Sequence, residues 1–284
     1  MQYLGLVVTA VLLSLQNISR KQYNVKYNPS NAYLFSGVTS LFALLYFAVL
    51  SIGTFSFDAD VLPYSLGFGL SHGAASLGLF LALKYGSLSI TMLFSSYSLI
   101  IPTLYGILVL GEKLKIVGYI GIVLLFISIF LVNKKDDGEK NRYEFKWFVF
   151  LVLTFVGNGM CSTVQKMQQL KFGGEYKNEF MIVALAISTT IIFVASLCDI
   201  KSFKKELVSC IPLGAFTGLS NGITNHLVMI LTGLIPTAIF FPIISASGIV
   251  LGFVLAVTLY KERLSNLQLV GYAIGVVSVV LLNI

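Results

Sequence analysis

Long apolar runs without a charged residue recur along the chain and restrict its fold more than any other feature. Residues 88–110 hold 23 residues without an Asp, Glu, Lys or Arg, and residues 116–133 are also free of charge. A helix of about 20 apolar residues crosses the hydrocarbon core of a bilayer, where every backbone polar group must be paired within the segment. Only 11% of all residues are charged, against roughly 25% in soluble domains. The pattern predicts an all-α polytopic membrane protein.

Ten membrane spans are predicted, with ends placed to within a few residues. Spans 1 to 10 run over residues 2–22, 31–52, 62–83, 87–110, 115–132, 147–169, 179–198, 207–231, 234–259 and 266–283. Five spans lie on each side of a stretch rich in charge, residues 133–146, which we interpret as a linker. The chain is therefore predicted to contain a first five-span repeat over 1–132 and a second over 147–284.

The two groups of five spans resemble each other in sequence. Span 4 is followed by the charged break Glu112-Lys113-Leu114, and span 5 then opens with Gly118-Tyr119. Span 9 is followed by Glu262-Arg263-Leu264, and span 10 contains Gly271-Tyr272. Because five is odd, the second copy enters the membrane from the opposite side. Such an inverted repeat places a site near the midplane, between two halves that can move against each other.

This arrangement resembles the drug/metabolite transporter superfamily, and most closely its EamA-like branch. The resemblance covers essentially the whole chain, and the breaks at 112–114 and 262–264 carry it. It implies alternating-access transport of a small metabolite, by export or exchange. We expect a multi-pass protein of the cell membrane, such as the inner membrane of a bacterium. The resemblance implies cytoplasmic termini, whereas 14 Lys and Arg in the loops after odd-numbered spans, against 5 elsewhere, favour external termini.

Polar side chains within the spans are candidate substrate contacts, because a polar group in hydrocarbon is costly unless it is satisfied. Span 6 carries a stripe of them at helical spacing, from Asn158 to Gln169, for which a wet cavity and hydrogen bonds between helices are both open interpretations. Arg20 and Lys21 lie too near the predicted end of span 1 to be included. The predicted contacts, in a cavity lined by spans 1, 3, 4, 6, 8 and 9, are Gln16, Asn17, His72, Ser95, Tyr97, Asn158, Gln165, Asn221, Asn225 and His226.

The two histidines of the chain, His72 and His226, fall in corresponding spans, 3 and 8. An imidazole titrates near neutral pH, so both are candidates for proton coupling. A neutral histidine bonded to a neighbouring helix is an equal alternative. No metal site is expected, since two isolated imidazoles without nearby carboxylates do not form a ligand set.

Acidic residues are absent from the interior of the spans, because all twelve fall in predicted loops or at span ends. A permanently charged cation would have no buried counter-charge, and only aromatic faces such as Tyr97 would attract it. A small polar or zwitterionic metabolite, for example an amino acid or a nucleobase-like compound, therefore fits better. An organic-cation or drug exporter and a lipid-headgroup flippase are the alternatives.

An enzyme is not expected. Gly218-x-Ser220-x-Gly222 matches the G-x-S-x-G motif of serine hydrolases, but here the motif lies in a predicted helix whose N–H groups are already hydrogen bonded. An intramembrane serine hydrolase is thus a remote alternative, and no catalytic residue is assigned. No G-x-x-x-x-G-K-[ST] loop occurs, so we expect a secondary transporter without ATP or a cofactor. Its partners would be a small-molecule substrate and the lipid bilayer, with no nucleic acid. Both repeats in one chain allow a monomer.

Overall fold

Helices form all of the regular structure that is described. The computed structural model covers residues 2–111, 115–133, 145–235, 237–261 and 264–282. The α-helices are α1 Gln2–Tyr27, α2 Ala32–Leu50, α3 Leu62–Tyr85, α4 Leu88–Tyr97, α5 Ile100–Leu108, α6 Ile116–Asn133, α7 Phe145–Phe172, α8 Lys177–Leu197, α9 Ile200–Leu234, α10 Thr237–Leu259 and α11 Asn266–Leu282. A short 3₁₀ turn, Ala59–Val61, precedes α3.

The length and surface of the helices are those of a polytopic membrane protein. Six helical stretches are long and apolar enough to cross a bilayer by length and composition, and three more apolar stretches are shorter. Large apolar side chains point outward on several helices, for example Val49, Ile116, Val123 and Val194. Soluble monomers avoid wide apolar surfaces of this kind, whereas lipid chains cover them.

The predicted fourth span is not a single helix. It is divided into α4 and α5, which are separated at Ser98 and Leu99. Pro102 explains the break, because it lacks a backbone N–H and its ring clashes with the carbonyl four residues earlier, that of Ser98. The Ser98 carbonyl instead accepts from the N–H of Ile101 at 3.1 Å. The interruption leaves polar backbone atoms inside the bundle, next to the cavity described below.

Two helices extend five or more residues beyond a predicted end. α1 continues to Tyr27, beyond the predicted end at residue 22, and α9 begins at Ile200 rather than at residue 207. The Asp199 side chain caps α9 by accepting from the N–H of Ser202 at 3.2 Å. At 1.5 Å per residue, the 35 residues of α9 span about 52 Å, well beyond a hydrocarbon core of about 30 Å.

Contacts between helices follow a reciprocal pattern. By predicted span order, α1, α2 and α3 of the first half correspond to α7, α8 and α9 of the second. The contact of α3 with α7 corresponds to that of α9 with α1, and the contact of α2 with α9 corresponds to that of α8 with α3. The contact of α1 with α10 has its counterpart in the contact of α7 with α4 and α5. Three further pairs, α2 with α8, α4 with α10 and α6 with α11, join elements at corresponding places in the two halves. The pairs named here are therefore exchanged with one another, or kept, when the first five predicted spans are exchanged with the second five.

Glycines allow the closest of these helix crossings. A Cβ on Gly218 would collide with the carbonyl oxygen of Thr39 in α2, and one on Gly222 would lie 2.8 Å from the ring of Tyr46. A Cβ on Gly157 of α7 would likewise lie only 2.9 Å from the carbonyl oxygen of Ser71 in α3. The glycines in the Gly218-x-Ser220-x-Gly222 sequence thus have a packing role, as expected of small residues at membrane helix interfaces.

Two carboxylates bind free backbone N–H groups near the ends of α2. Glu206 of α9 accepts from the N–H groups of Ser30 and Asn31, at 2.8 and 3.2 Å, just before α2 begins. Glu179 of α8 accepts from the N–H of Ser56, after α2 ends, at 3.2 Å. These contacts hold α2 to the neighbouring helices at both of its ends.

Several sequence predictions lie outside the described residues. Most of the linker 133–146, the break Glu112-Lys113-Leu114, and Glu262 and Arg263 of the second break are among them.

Candidate functional site

Side-chain amides from three helices form a continuous hydrogen-bonded chain inside the bundle. Gln165 of α7 donates to Asn225 Oδ1 in α9 at 3.0 Å, and Asn225 donates to Asn221 Oδ1 at 3.1 Å. Asn221 donates to Gln16 Oε1 in α1 at 3.2 Å, and Gln16 donates to Thr224 Oγ1 at 3.0 Å. The network satisfies amides that would otherwise be unpaired in an apolar interior.

A cavity of about 170 Å³ lies beside this network. Its walls come from α1, α3, α4, α7, α9 and α10 and from the α4–α5 break. Eight of the ten predicted contact residues line it: Gln16, Asn17, His72, Ser95, Asn158, Gln165, Asn221 and Asn225. The structure therefore brings together polar residues that are up to about two hundred positions apart in sequence.

His72 lines the cavity and is buried. Its Nδ1 lies 3.1 Å from Ser188 Oγ in α8, and its ring stacks on Phe68 at 5.7 Å between centroids. The histidine is thus bonded to a neighbouring helix and faces the cavity at the same time.

Arg20 is a wall residue that sequence reasoning missed. Its side chain is only 6% exposed, and Nη1 donates to Asn17 Oδ1 at 3.2 Å. Because α1 extends to Tyr27, Arg20 lies nearly two turns before the helix end. The sequence does contain a sign of this position. Arg20 follows Asn17 by three residues and Gln16 by four, which places all three side chains on one helix face.

The interruption between α4 and α5 contributes the hydroxyl-rich wall. Ser95, Ser96, Ser98 and Leu99 all line the cavity. The Ser96 carbonyl accepts from Ser245 Oγ of α10 at 2.9 Å, so a side chain of the facing helix satisfies a backbone acceptor near the interruption. Interrupted helices whose backbone faces a cavity are typical of binding sites in membrane transporters.

Two predicted contact residues, Tyr97 and His226, do not reach the cavity. Tyr97 is fully buried in an apolar cluster, and its hydroxyl bonds Ser128 Oγ. It lies two positions after Ser95, and a rotation of about 100° per residue turns it to the opposite face of α4. His226 is one position past Asn225, so its side chain is rotated by about 100° from the amide that faces the cavity. Its ring stacks on that of Phe47 at 5.9 Å between centroids. Both residues therefore lie outside the wall of the cavity in which the sequence analysis placed them.

The polar stripe of α7 has two different roles along its length. Asn158, Cys161, Ser162 and Gln165 line the cavity. Further on, Gln168 donates to the Glu175 carbonyl at 2.9 Å, and Gln169 donates to Gln168 Oε1 at 2.6 Å. The middle of the stripe therefore faces the cavity, and its end forms hydrogen bonds within α7 and to the loop that follows it.

Ser220 has no setting for hydrolysis. It is 4% exposed in the middle of the continuous helix α9 and is not among the residues that line the cavity. Within the described ranges the hydrogen-bond partner of His72 is Ser188, and no bond joins either histidine to Ser220.

Comparison with known proteins finds a similarity to a transporter family in the first part of the chain. Residues 1–134 match the EamA-like transporter family. No curated protein gives a significant match. One of 28 matching chains of solved structures, titled only "Crystal structure of protein", is similar with a TM-score of 0.66 and 14% identity. The likeness covers 99% of this chain and 96% of that chain, and it shows the fold alone.

Proposed function

We propose that this chain is a secondary transporter of the drug/metabolite type, and the premise is that residues 1–134 match the EamA-like transporter family. It would move a small polar or zwitterionic metabolite across the cell membrane by alternating access, as an exporter or exchanger. The observation that carries the proposal is the cavity of about 170 Å³ among six helices, whose walls carry amides and hydroxyls.

Both halves of the chain supply this cavity. Helices α1, α3 and α4 come from the first half, and α7, α9 and α10 come from the second. A site shared by two halves can open to either side when one half rocks against the other. A cavity of 150 Å³ elsewhere admits benzene, so about 170 Å³ suits a compact metabolite.

We propose ten membrane spans arranged as two inverted repeats, over 1–132 and 147–284, joined by the linker 133–146. The reciprocal helix pairs support this arrangement, because exchanging the halves leaves them unchanged. The family match supports it as well, since it ends at residue 134, close to the proposed boundary.

The polar contacts of the substrate would come from the residues that face the cavity. Gln16, Asn221, Asn225 and Gln165 already bond one another, so a substrate would exchange with these bonds. No hydrogen bond of the Asn158 side chain is found within the described part of the chain, which leaves this amide available to a substrate. An organic cation fits less well, because Arg20 faces the cavity and Tyr97 does not.

A counterflow assay tests the proposal. Liposomes containing the purified protein are loaded with unlabelled amino acids, nucleobases or small organic acids, and entry of the labelled compound is followed. Asn158→Leu replaces a cavity amide by an apolar side chain of similar size and should reduce counterflow about tenfold or more. Met160→Leu changes an exposed position of the same helix and is the matched control, with unchanged counterflow. Equal counterflow in both variants, or none with any compound in the parent protein, would contradict the proposal.

A further inference from the structure

Arg20 gives the cavity a positive charge. Among the described wall residues it is the only Lys or Arg, and no Asp or Glu lies among them. Its side chain is 6% exposed, and seven residues of α1 follow it. The Arg20 side chain is therefore enclosed by the helix bundle and does not extend to the lipid headgroups.

No acidic partner neutralises Arg20 within the described ranges. The ion pair found there joins Lys171 and Asp60, both of which are exposed. The hydrogen bond of Arg20 is to the neutral amide of Asn17. A guanidinium has five N–H donors, so most of them are free to bind another group. A buried charge in a membrane protein is normally paired, and its missing partner is a reason to look for a ligand.

The opposite end of the cavity is apolar. Leu13 lies seven residues before Arg20 on α1, which is about 10 Å along the helix axis. Phe240, Phe241 and Leu99 belong to the same apolar cluster as Leu13, and all of them line the cavity. The space thus has one cationic end and one hydrocarbon end.

We infer that the solute is a small organic anion with an apolar body, whose carboxylate binds Arg20 and whose hydrocarbon part lies against Phe240 and Phe241. This inference rests on the proposed function and narrows its substrate class. Guanidinium and carboxylate groups form paired, charge-assisted hydrogen bonds. The ammonium group of an amino acid would meet only neutral oxygens among the described wall residues. A simple carboxylate is therefore preferred to a zwitterion.

One carbon skeleton in three charge states provides the test. Binding of 4-methylpentanoate, its uncharged amide and leucine to the purified protein is measured by thermal shift and calorimetry. A ligand that binds the folded state raises Tm, and we expect this for the anion alone. Arg20→Gln should weaken binding of the anion by about tenfold to hundredfold, and Arg20→Lys should weaken it less. Lys171→Gln removes an exposed positive charge and is the control, with unchanged affinity.

A second variant does not depend on the stability of Arg20→Gln. Asn17→Asp places a carboxylate on the group that already accepts from Arg20. This internal ion pair should abolish the Tm shift caused by 4-methylpentanoate and should raise the Tm of the unliganded protein. A full response to the anion in Asn17→Asp would overturn the inference.

The remaining outcomes separate the inference from the proposed function. Equal binding of the amide or of leucine, or a Tm shift with inorganic phosphate but none with 4-methylpentanoate, would overturn the carboxylate assignment. Counterflow of an uncharged compound that persists in Arg20→Gln would also overturn it, while the transport function would stand. Binding of the anion that depends on Arg20, without counterflow of any compound, would support the inference and contradict transport.

Discussion

The side-chain amide of Asn221 in α9 donates to Gln16 Oε1 in α1 at 3.2 Å, joining two residues that are 205 positions apart. The bond lies between the two halves of the chain and beside the cavity. It continues through Asn225 to Gln165 of α7. A substrate that enters the cavity therefore meets a network that already connects the two halves, and binding can alter their contact.

The Gln16–Asn221 bond should be measurable as a coupling between the two residues. Hydrogen bonds between membrane helices contribute about 0.6 kcal/mol on average. We expect Gln16→Leu and Asn221→Leu each to lower the stability of the solubilised protein, with a double-mutant coupling of about that size. The measurement is reversible unfolding of the parent, both single variants and the double variant. Strictly additive effects would show that the bond contributes nothing.

His72 should determine the pH dependence of transport. It is the one histidine among the described wall residues, and an imidazole is the side chain best suited to a pH-dependent change of charge. Arg20 of α1 and Cys161 of α7 are the other titratable or charged side chains among the described wall residues. We expect counterflow by the parent protein to vary with pH and counterflow by His72→Gln to vary much less.

His226→Gln is the matched control for this experiment. His226 lies in the corresponding predicted span but stacks on Phe47, away from the cavity. Its replacement should leave the pH profile of the parent protein unchanged. Identical profiles for His72→Gln and the parent would exclude His72 from the pH response.

Two glycines of α9 should respond in opposite directions to the same substitution. A Cβ at Gly218 would collide with the Thr39 carbonyl, whereas at Gly233 the nearest atom, Gln169 Oε1, is 3.9 Å away. Gly218→Ala should destabilise the protein by about 1–3 kcal/mol through overpacking. Gly233→Ala should be neutral or stabilising by up to about 1 kcal/mol, because alanine favours the helix. Thermal unfolding in detergent checks both variants, and equal Tm values for them would refute the packing role of Gly218.

The cap of α9 should be sensitive to acid. Hydrogen bonds from the side chain and N–H of Ser202 lower the pKa of Asp199 from its usual value. A lowered carboxyl pKa contributes stability above the unfolded pKa, about 3.9, and this stability is lost as pH falls through the folded value. Asp199→Ala should therefore lower Tm at pH 7, by on the order of 2 °C, and the difference from the parent should shrink below pH 4.

Asp199→Asn is the control for this prediction. Its amide oxygen can still accept from the N–H of Ser202, so most of the capping should remain at pH 7. A Tm difference between the parent and Asp199→Ala that is the same at pH 7 and pH 3.5 would contradict the charged cap.

The sequence alone determined the kind of protein and much of its cavity wall. Charge-free runs about as long as a bilayer is thick leave helices as the only solution, because backbone groups in hydrocarbon must bond within their own segment. Amides such as Gln16, Asn158 and Asn225 were recognisable because polar groups are costly in that setting. Their helical spacing also placed them on shared faces.

Only the tertiary structure decided which of these faces meet. The burial of Arg20 depends on how α1 packs against its neighbours, and the orientations of Tyr97 and His226 depend on how α4 and α9 are rotated against theirs. The rotation of a helix in a membrane is set by its packing against other helices. Lipid chains are as apolar as the side chains, so contact with lipid does not select which apolar face of a helix turns outward. The charge in the cavity is therefore a property of the assembled bundle, although every residue that forms it can be read in the sequence.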